Sequence, residues 1–444
     1  MPTLRMRCVG VVAVFAALTT SGCSQGDPPA QGTTGTGGVS SAGGSGGSRS
    51  GTGGSGGARP PTNMGGSTGS GGSPPSGAGG SGGSVPPQVD AAPPNDMAPP
   101  SPDVAADAGR PDASPADGGN AAIDPAVVAI MRRVADWQIP RMGTAKSWVH
   151  CVGWSGIMAT HFLTKDPKYL QATVTWGGNW QLLAPNEPRG DVQCAAQAFY
   201  DSYLADPKPE NMVRVNTSKP HLDNVVNGNL RGRVEWWWQD ALFMVAPGFA
   251  RLGTITGDKK YFDVLNRMWW DTYEYLWSPQ NNLMYRDNNL RNRFWSRGNG
   301  WVVGAIARVL QHLPADDPKR PDFIKMLNTY AAKLITIQAP NGFWRSDLLG
   351  PATQGPESSG TSLFTFGLAY GLNNGHLDRA TYLPAVKKGW EAVVSAVAAD
   401  GRLGYVQNIG ASPGPAGPTE TYPFGVGAFL LAGSEVAKIG GLDR

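Results

Sequence analysis

The chain lacks an excess of charge of either sign. Its 444 residues carry 37 basic and 34 acidic side chains, a formal +3, so no broad field exists that could hold a nucleic acid. Histidine is scarce. The five, at 150, 161, 221, 312 and 376, show no ligand spacing, and the four cysteines show no metal-type spacing, which argues against a metal centre. No Gly-x-Ser-x-Gly elbow and no phosphate loop occur, and nothing calls for a cofactor. Apolar runs are too short to make a transmembrane helix. Residues 24–120 contain no Phe, Trp or Tyr at all.

What is present divides the chain in three. Residues 1–23 read as an export signal: Arg5 and Arg7 form a basic end, Val9 to Leu18 an apolar stretch, and Thr20-Ser21-Gly22-Cys23 a cleavage region. Small residues before a cysteine resemble a bacterial lipoprotein box, so Cys23 is the expected lipidation site, although Thr20 stands where Leu is usual. An ordinary secretory signal is the alternative. Ser24 after the cysteine, by resemblance to Gram-negative lipoproteins, favours the outer membrane. Residues 24–120 hold close to half of the 61 glycines and repeat Gly-Gly-Ser before turning rich in Pro, Ala and Asp. Such a disordered linker cannot pack; as a coil its reach is roughly 55 Å, enough to space a domain from a surface. Residues 121–444 hold all 15 tryptophans, from Trp137 to Trp390, and are the only part able to bury a core. There Cys151 and Cys194 could pair in an oxidising compartment, but buried free thiols are the favoured reading.

The folded part reads as helical. Segments near 125–139, 151–163, 168–183, 191–204, 234–254, 261–277, 300–312, 321–338, 359–373, 380–398 and 423–438 carry apolar residues three and four apart, separated by Gly, Pro and Asp clusters. A turn recurs: Thr164-Lys-Asp-Pro-Lys-Tyr169 resembles Thr256-Gly-Asp-Lys-Lys-Tyr261, with looser copies at 205–208 and 315–319. In each an Asp can cap the next helix. The copies recur roughly every 40–60 residues, about one helical hairpin. This predicts an all-α (α/α)6 barrel, a closed ring of six hairpins; an open helical solenoid is the competing fold.

Several residues could carry chemistry. Asp240 lies in the apolar run Glu235-Trp-Trp-Trp-Gln-Asp-Ala-Leu-Phe-Met244. Burial raises a carboxyl pKa, as a general acid near neutral pH requires, though a structural Asp bonded to a neighbour explains the run equally. Asp191, after Gly190 at a helix start, reads first as an N-cap. In Phe294-Trp295-Ser-Arg297-Gly-Asn-Gly-Trp301, Arg297 can grip a carboxylate and Trp301 can stack on a sugar; an ion pair beside a core Trp is the alternative. Leu283-Met-Tyr-Arg286-Asp287 places a cation beside an aromatic, or is a solvated turn. Glu357-Ser-Ser-Gly-Thr361 resembles a helix start with serine caps.

Together these blocks, in order and joined by Gly425-Val-Gly-Ala-Phe-Leu-Leu-Ala432, resemble glycoside hydrolase families 88 and 105, the unsaturated glucuronyl and rhamnogalacturonyl hydrolases, over residues 125–437. The resemblance implies an (α/α)6 barrel that hydrates the 4,5-double bond of a uronic acid left at a chain end by a polysaccharide lyase. It implies Asp240 as general acid/base and Asp191 as the second acid. Arg297, Trp301, Trp238, Trp295 and Arg286 would bind substrate. Its partner is an unsaturated oligosaccharide, with no nucleic acid, and with a membrane only through the lipid anchor. The family often has His where Arg286 stands, which leaves a His-dependent contact in doubt. Two other readings remain: an inverting glycosidase on the same barrel, and a non-catalytic surface lipoprotein that binds saccharides.

Overall fold

Aspartates start several of the helices, as the recurring turn predicts. Asp124 accepts hydrogen bonds from the Ala126 and Val127 amides at 2.8 and 3.2 Å, just ahead of Pro125 in the first turn. Asp166 takes the amide of Lys168, Asp258 that of Lys260 and Asp317 that of Lys319. The looser copy at 205–208 differs: Asp206 instead accepts from the Asn211 side chain.

A computed structural model describes residues 122–184, 187–351 and 354–440. The export signal, Cys23 and the linker therefore lie outside the described residues. The chain forms α1 (Pro125–Gln138), α2 (Trp148–Thr164), α3 (Pro167–Gly177), α4 (Gly190–Gln193) and α5 (Ala195–Ala205). Then come α6 (Val213–Asn216), α7 (Lys219–Asn227), α8 (Gly232–Glu235), α9 (Gln239–Thr256) and α10 (Lys260–Leu276). The last five are α11 (Ser296–Leu310), α12 (Arg320–Ile337), α13 (Ser358–Asn373), α14 (Arg379–Ser395) and α15 (Pro423–Val436). One antiparallel pair, β1 (Trp277–Ser278) with β2 (Leu283–Met284), precedes α11.

Six helices make a closed inner ring in the order α2, α5, α9, α11, α13, α15, with α15 packed back on α2. They run parallel. Starts meet starts: Cys151 of α2 bonds Cys194 just ahead of α5, and Gly360 of α13 lies against Ser296 of α11. Ends meet ends: Arg251 of α9 reaches Asp201 of α5, and Asn373 of α13 reaches Glu435 of α15. The seam between α2 and α15 needs glycine on both sides, since a Cβ on Gly156 would sit 2.5 Å from the Gly427 carbonyl oxygen. Outside stand α1, α3, the α6–α7 pair, α10, α12 and α14, with one face buried each. This is the predicted (α/α)6 barrel, not an open solenoid; closure covers the apolar ends an open array would expose.

The differences from the sequence reading are local. The expected 168–183 helix stops at Gly177, the 191–204 helix breaks at Cys194, and α6 and α7 fill a stretch with no expected helix. The run expected to be helical from 234 enters α9 only at Gln239, because residues 236–238 are extended or irregular. Cys151 and Cys194 are buried as expected but are bonded to each other, which corrects the free-thiol reading. Parallel packing of the starts of α2 and α5 brings their Cα atoms to 6.0 Å, within the ordinary span of a bridge.

Candidate active site

Parallel inner helices put all six N-termini, and the loops that precede them, at one end of the ring. Asp191 lies in the first turn of α4, Asp240 in the first turn of α9 and Arg297 in the first turn of α11. The two acids are brought together by the contact between α4 and α9. A Cβ on Gly190 would lie 3.2 Å from the Cα of Ala241, so the residue before one acid touches the residue after the other. Each carboxyl is pushed up to about 6, from 3.8, first by burial. Arg286 and Arg297 pull Asp240 down, and the neighbouring charge of Asp191 raises it. Arg189 and Arg286 pull Asp191 down. Asp240 keeps part of its surface open, yet its Oδ1 is enclosed and meets no hydrogen-bond partner within the protein.

Arg286 is the cation shared by the two acids. Its segment is no solvated turn. The Arg286 carbonyl accepts the Gln239 amide at 2.9 Å, and so fixes the entry to α9. Its guanidinium pairs with buried Asp287, whose other oxygen takes the amides of Asn289 and Leu290 at 2.7 and 3.0 Å. The Arg286 Nε meets no partner within the protein.

Arg297 is placed differently from expectation. It is only 1% exposed, and it donates to the carbonyls of Gln407 and Asn408 at 2.6 and 2.9 Å. It lies 4.4 Å over the Trp295 ring and 4.8 Å over that of Phe424. Its charge reaches Asp240 and Glu357, but two of its three nitrogens hold the loop before α15, and Nε alone has no protein partner. Trp295, the N-cap residue of α11, gives its indole N–H to Gln407 at 2.9 Å. Trp301 is wholly buried between Phe243 at 4.8 Å and Phe424 at 6.5 Å, so its faces are covered rather than offered to a sugar. Trp238 caps the start of α9 and is 7% exposed.

Two residues to which the sequence assigned no role in the site support it. Glu357, not a serine, caps α13; it accepts from the Ser359 and Gly360 amides and from Gln407 N, tying α13 to the loop that Arg297 holds. Gln239 is buried with both side-chain polar atoms unpartnered, and Gly298 leaves the room it occupies. A buried amide beside a buried acid in a Trp-rich run was the available signal. Among the described residues no group of His, Cys, Asp and Glu could hold a metal ion.

Residues 122–439 match the profile of Glycosyl Hydrolase Family 88. An unsaturated 3S-rhamnoglycuronyl hydrolase of Formosa agariphila is 34% identical, over 70% of this chain and 91% of that protein. Among solved structures, a family 88 glycosyl hydrolase of Bacteroides vulgatus is 30% identical with a TM-score of 0.65, covering 70% of this chain and 98% of its own. A chain described as a polysaccharide lyase is 32% identical with the same TM-score and covers 70% and 96%. The unsaturated glucuronyl hydrolase of Bacillus sp. GL1, 15% identical at a TM-score of 0.55 over 69% and 95%, shares the fold.

Proposed function

The chain belongs to glycosyl hydrolase family 88, and from that premise we propose how its site acts and on what. It is a hydrolase of oligosaccharides that end in an unsaturated uronic acid. The observation that carries the mechanism is the pair of carboxyls that the contact of Gly190 with Ala241 brings together, both raised to about 6, with the charge of Arg286 reaching each of them.

A vinyl ether is protonated on carbon, a step that needs an acid still holding its proton near neutral pH. Asp240, the more enclosed of the two, gives that proton to C4. Positive charge then spreads over C5 and the ring oxygen. Water adds at C5, and the Asp240 carboxylate takes the proton that water releases, so the acid is regenerated. The product at C5 is a hemiketal. It opens to a ketone, the former ring oxygen leaves a hemiacetal at C1, and that hemiacetal expels the neighbouring sugar. Asp191 raises the proton affinity of Asp240 while it is ionised and orients the water. Arg286, whose charge reaches both acids, meets the carboxylate of the substrate. Arg297 acts from behind by fixing the loop at 407–408.

The relatives named for rhamnoglycuronyl substrates support a rhamnose on the leaving side. Export through the N-terminal signal, with Cys23 as lipid anchor, fits the Cys151–Cys194 bridge, since such bonds persist in oxidising compartments; loss of membrane association in Cys23→Ser would be the check.

The reaction class is tested by ultraviolet absorbance of a lyase-generated unsaturated disaccharide. Hydration predicts loss of the conjugated double bond with turnover. An inverting glycosidase would release the sugar before the absorbance falls, because the freed unsaturated uronate loses its double bond only afterwards, by ring opening to an enol and its ketone; a lyase acting on the parent polymer would raise the absorbance, and a binding protein would change nothing.

A further inference from the structure

The three tryptophans before α9 have sharply different surroundings. Trp236 is fully buried, packs 6.0 Å from Phe249, and its carbonyl accepts from the Thr272 hydroxyl. Trp238 caps α9 and is nearly covered. Trp237 between them is 40% exposed, the most exposed Trp among the described residues. An open indole is costly in water, and Trp236 and Trp238 on either side are both buried, so the exposure is imposed by the fold.

Its position gives that exposure a direction. Trp237 stands three residues before Asp240. Arg286, whose charge reaches both acids, also lies 5.8 Å over the Trp237 ring, and the Trp238 ring is 4.9 Å away at 50°. One side chain thus separates the acid pocket from an open aromatic surface. Leu183, Leu349 and Ile409, also exposed, stand on the loops that precede α4, α13 and α15 at the same end of the ring.

We propose that Trp237 is the platform for the sugar on the leaving side of the scissile bond, a pyranose that lays an apolar C–H face on the indole, with a 6-deoxyhexose fitting best because its methyl group meets the apolar rim. The inference rests on the function proposed above and extends it to a second sugar subsite. The reacting ring occupies the pocket of Asp191 and Asp240; the next ring emerges past Arg286 onto Trp237.

Two substrates separate this role from general damage: an unsaturated uronyl-rhamnose disaccharide, and the methyl glycoside of the same unsaturated uronic acid, which lacks the second ring. Trp237→Ala is expected to lower kcat/KM on the disaccharide by roughly 10- to 50-fold, mostly through KM, as covering the open part of an indole would imply. Turnover of the methyl glycoside should stay within about twofold, and Trp237→Phe should restore most of the disaccharide rate. Equal losses on both substrates, or no loss on either, would overturn the platform. A wild-type enzyme that leaves both substrates intact would overturn the underlying function, and the platform with it.

Discussion

Asp240→Asn should inactivate the enzyme and stabilise it, and the stabilisation should depend on pH. Burial raises the folded carboxyl to about 6 from 3.8, which is worth about 3 kcal/mol. Below pH 3.8 the carboxyl is protonated in both states, and the wild type loses nothing. Between 3.8 and about 6 the unfolded chain ionises while the folded one resists, so stability falls as pH rises. Above about 6 the full penalty is present. The amide keeps the shape and cannot ionise. Its expected gain is therefore near zero at pH 3.5 and about 3 kcal/mol at pH 8. For a folded part of about 320 residues that is a rise in Tm of roughly 4 °C. Turnover should fall by about 10²–10⁴ through loss of the acid. Thermal unfolding of both proteins at the two pH values measures the difference. An Asn variant that gains equally at both, or loses stability at pH 8, would refute the placement of Asp240 in a desolvated pocket.

Because both acids titrate near 6, kcat/KM should decline as pH rises through about 6, when Asp240 loses its proton; a rate profile flat from pH 5 to 8 would contradict this. Arg286 lowers both carboxyls, so Arg286→Met should move that decline to higher pH, measured on the same profile, while weakening substrate binding. Replacing both Cys151 and Cys194 by Ser opens a bridge between residues 43 apart and should cost about 4 kcal/mol, read as a lower denaturation midpoint. Arg297→Lys forfeits the forked grip on the Gln407 and Asn408 carbonyls and should lose about 1–3 kcal/mol of stability and much of kcat, with KM affected less than by Arg286→Met.

The ring was legible because its cause is local. Helix periodicity, aspartate caps and hairpin-length spacing are each carried by neighbouring residues, and closure follows from needing to cover six apolar faces. The acids were legible as types: a carboxyl in an apolar run and another after glycine. Their meeting was not, because it depends on the close packing of Gly190 on Ala241, a contact between residues 51 positions apart. The same limit explains Arg297. Its sequence neighbours suggest an arginine free to grip a ligand, but the carbonyls that hold it come from a loop 110 residues later. The cysteine pair is a third case: nothing local reveals that the starts of α2 and α5 lie side by side. The triple tryptophan was read as one buried helix because its composition is uniformly apolar, whereas the extended backbone at 238 turns neighbouring rings to different surroundings.

The parallel ring also explains how the protein distributes its buried charge. Six helix N-termini face the mouth, and their partial positive charges favour an anion there, a uronate included. Burial nonetheless raises Asp191 and Asp240 to about 6 against the pull of the neighbouring arginines. The C-terminal ends gather at the other pole, where the field is negative. There Arg251 and Arg308, on α9 and α11, share one acid, Asp201, at 2.5 and 3.0 Å. Burial alone would raise Asp201, but the two arginines hold it below the usual carboxylate range. Two buried cations against one anion would be an unbalanced cluster in most cores. Here the excess is met by the Pro247 carbonyl and the Gln197 side chain, and His312 beside them is pushed down to about 3 and stays neutral. The parallel arrangement thus places the buried ion-pair cluster at one end of the ring and the two acids at the other.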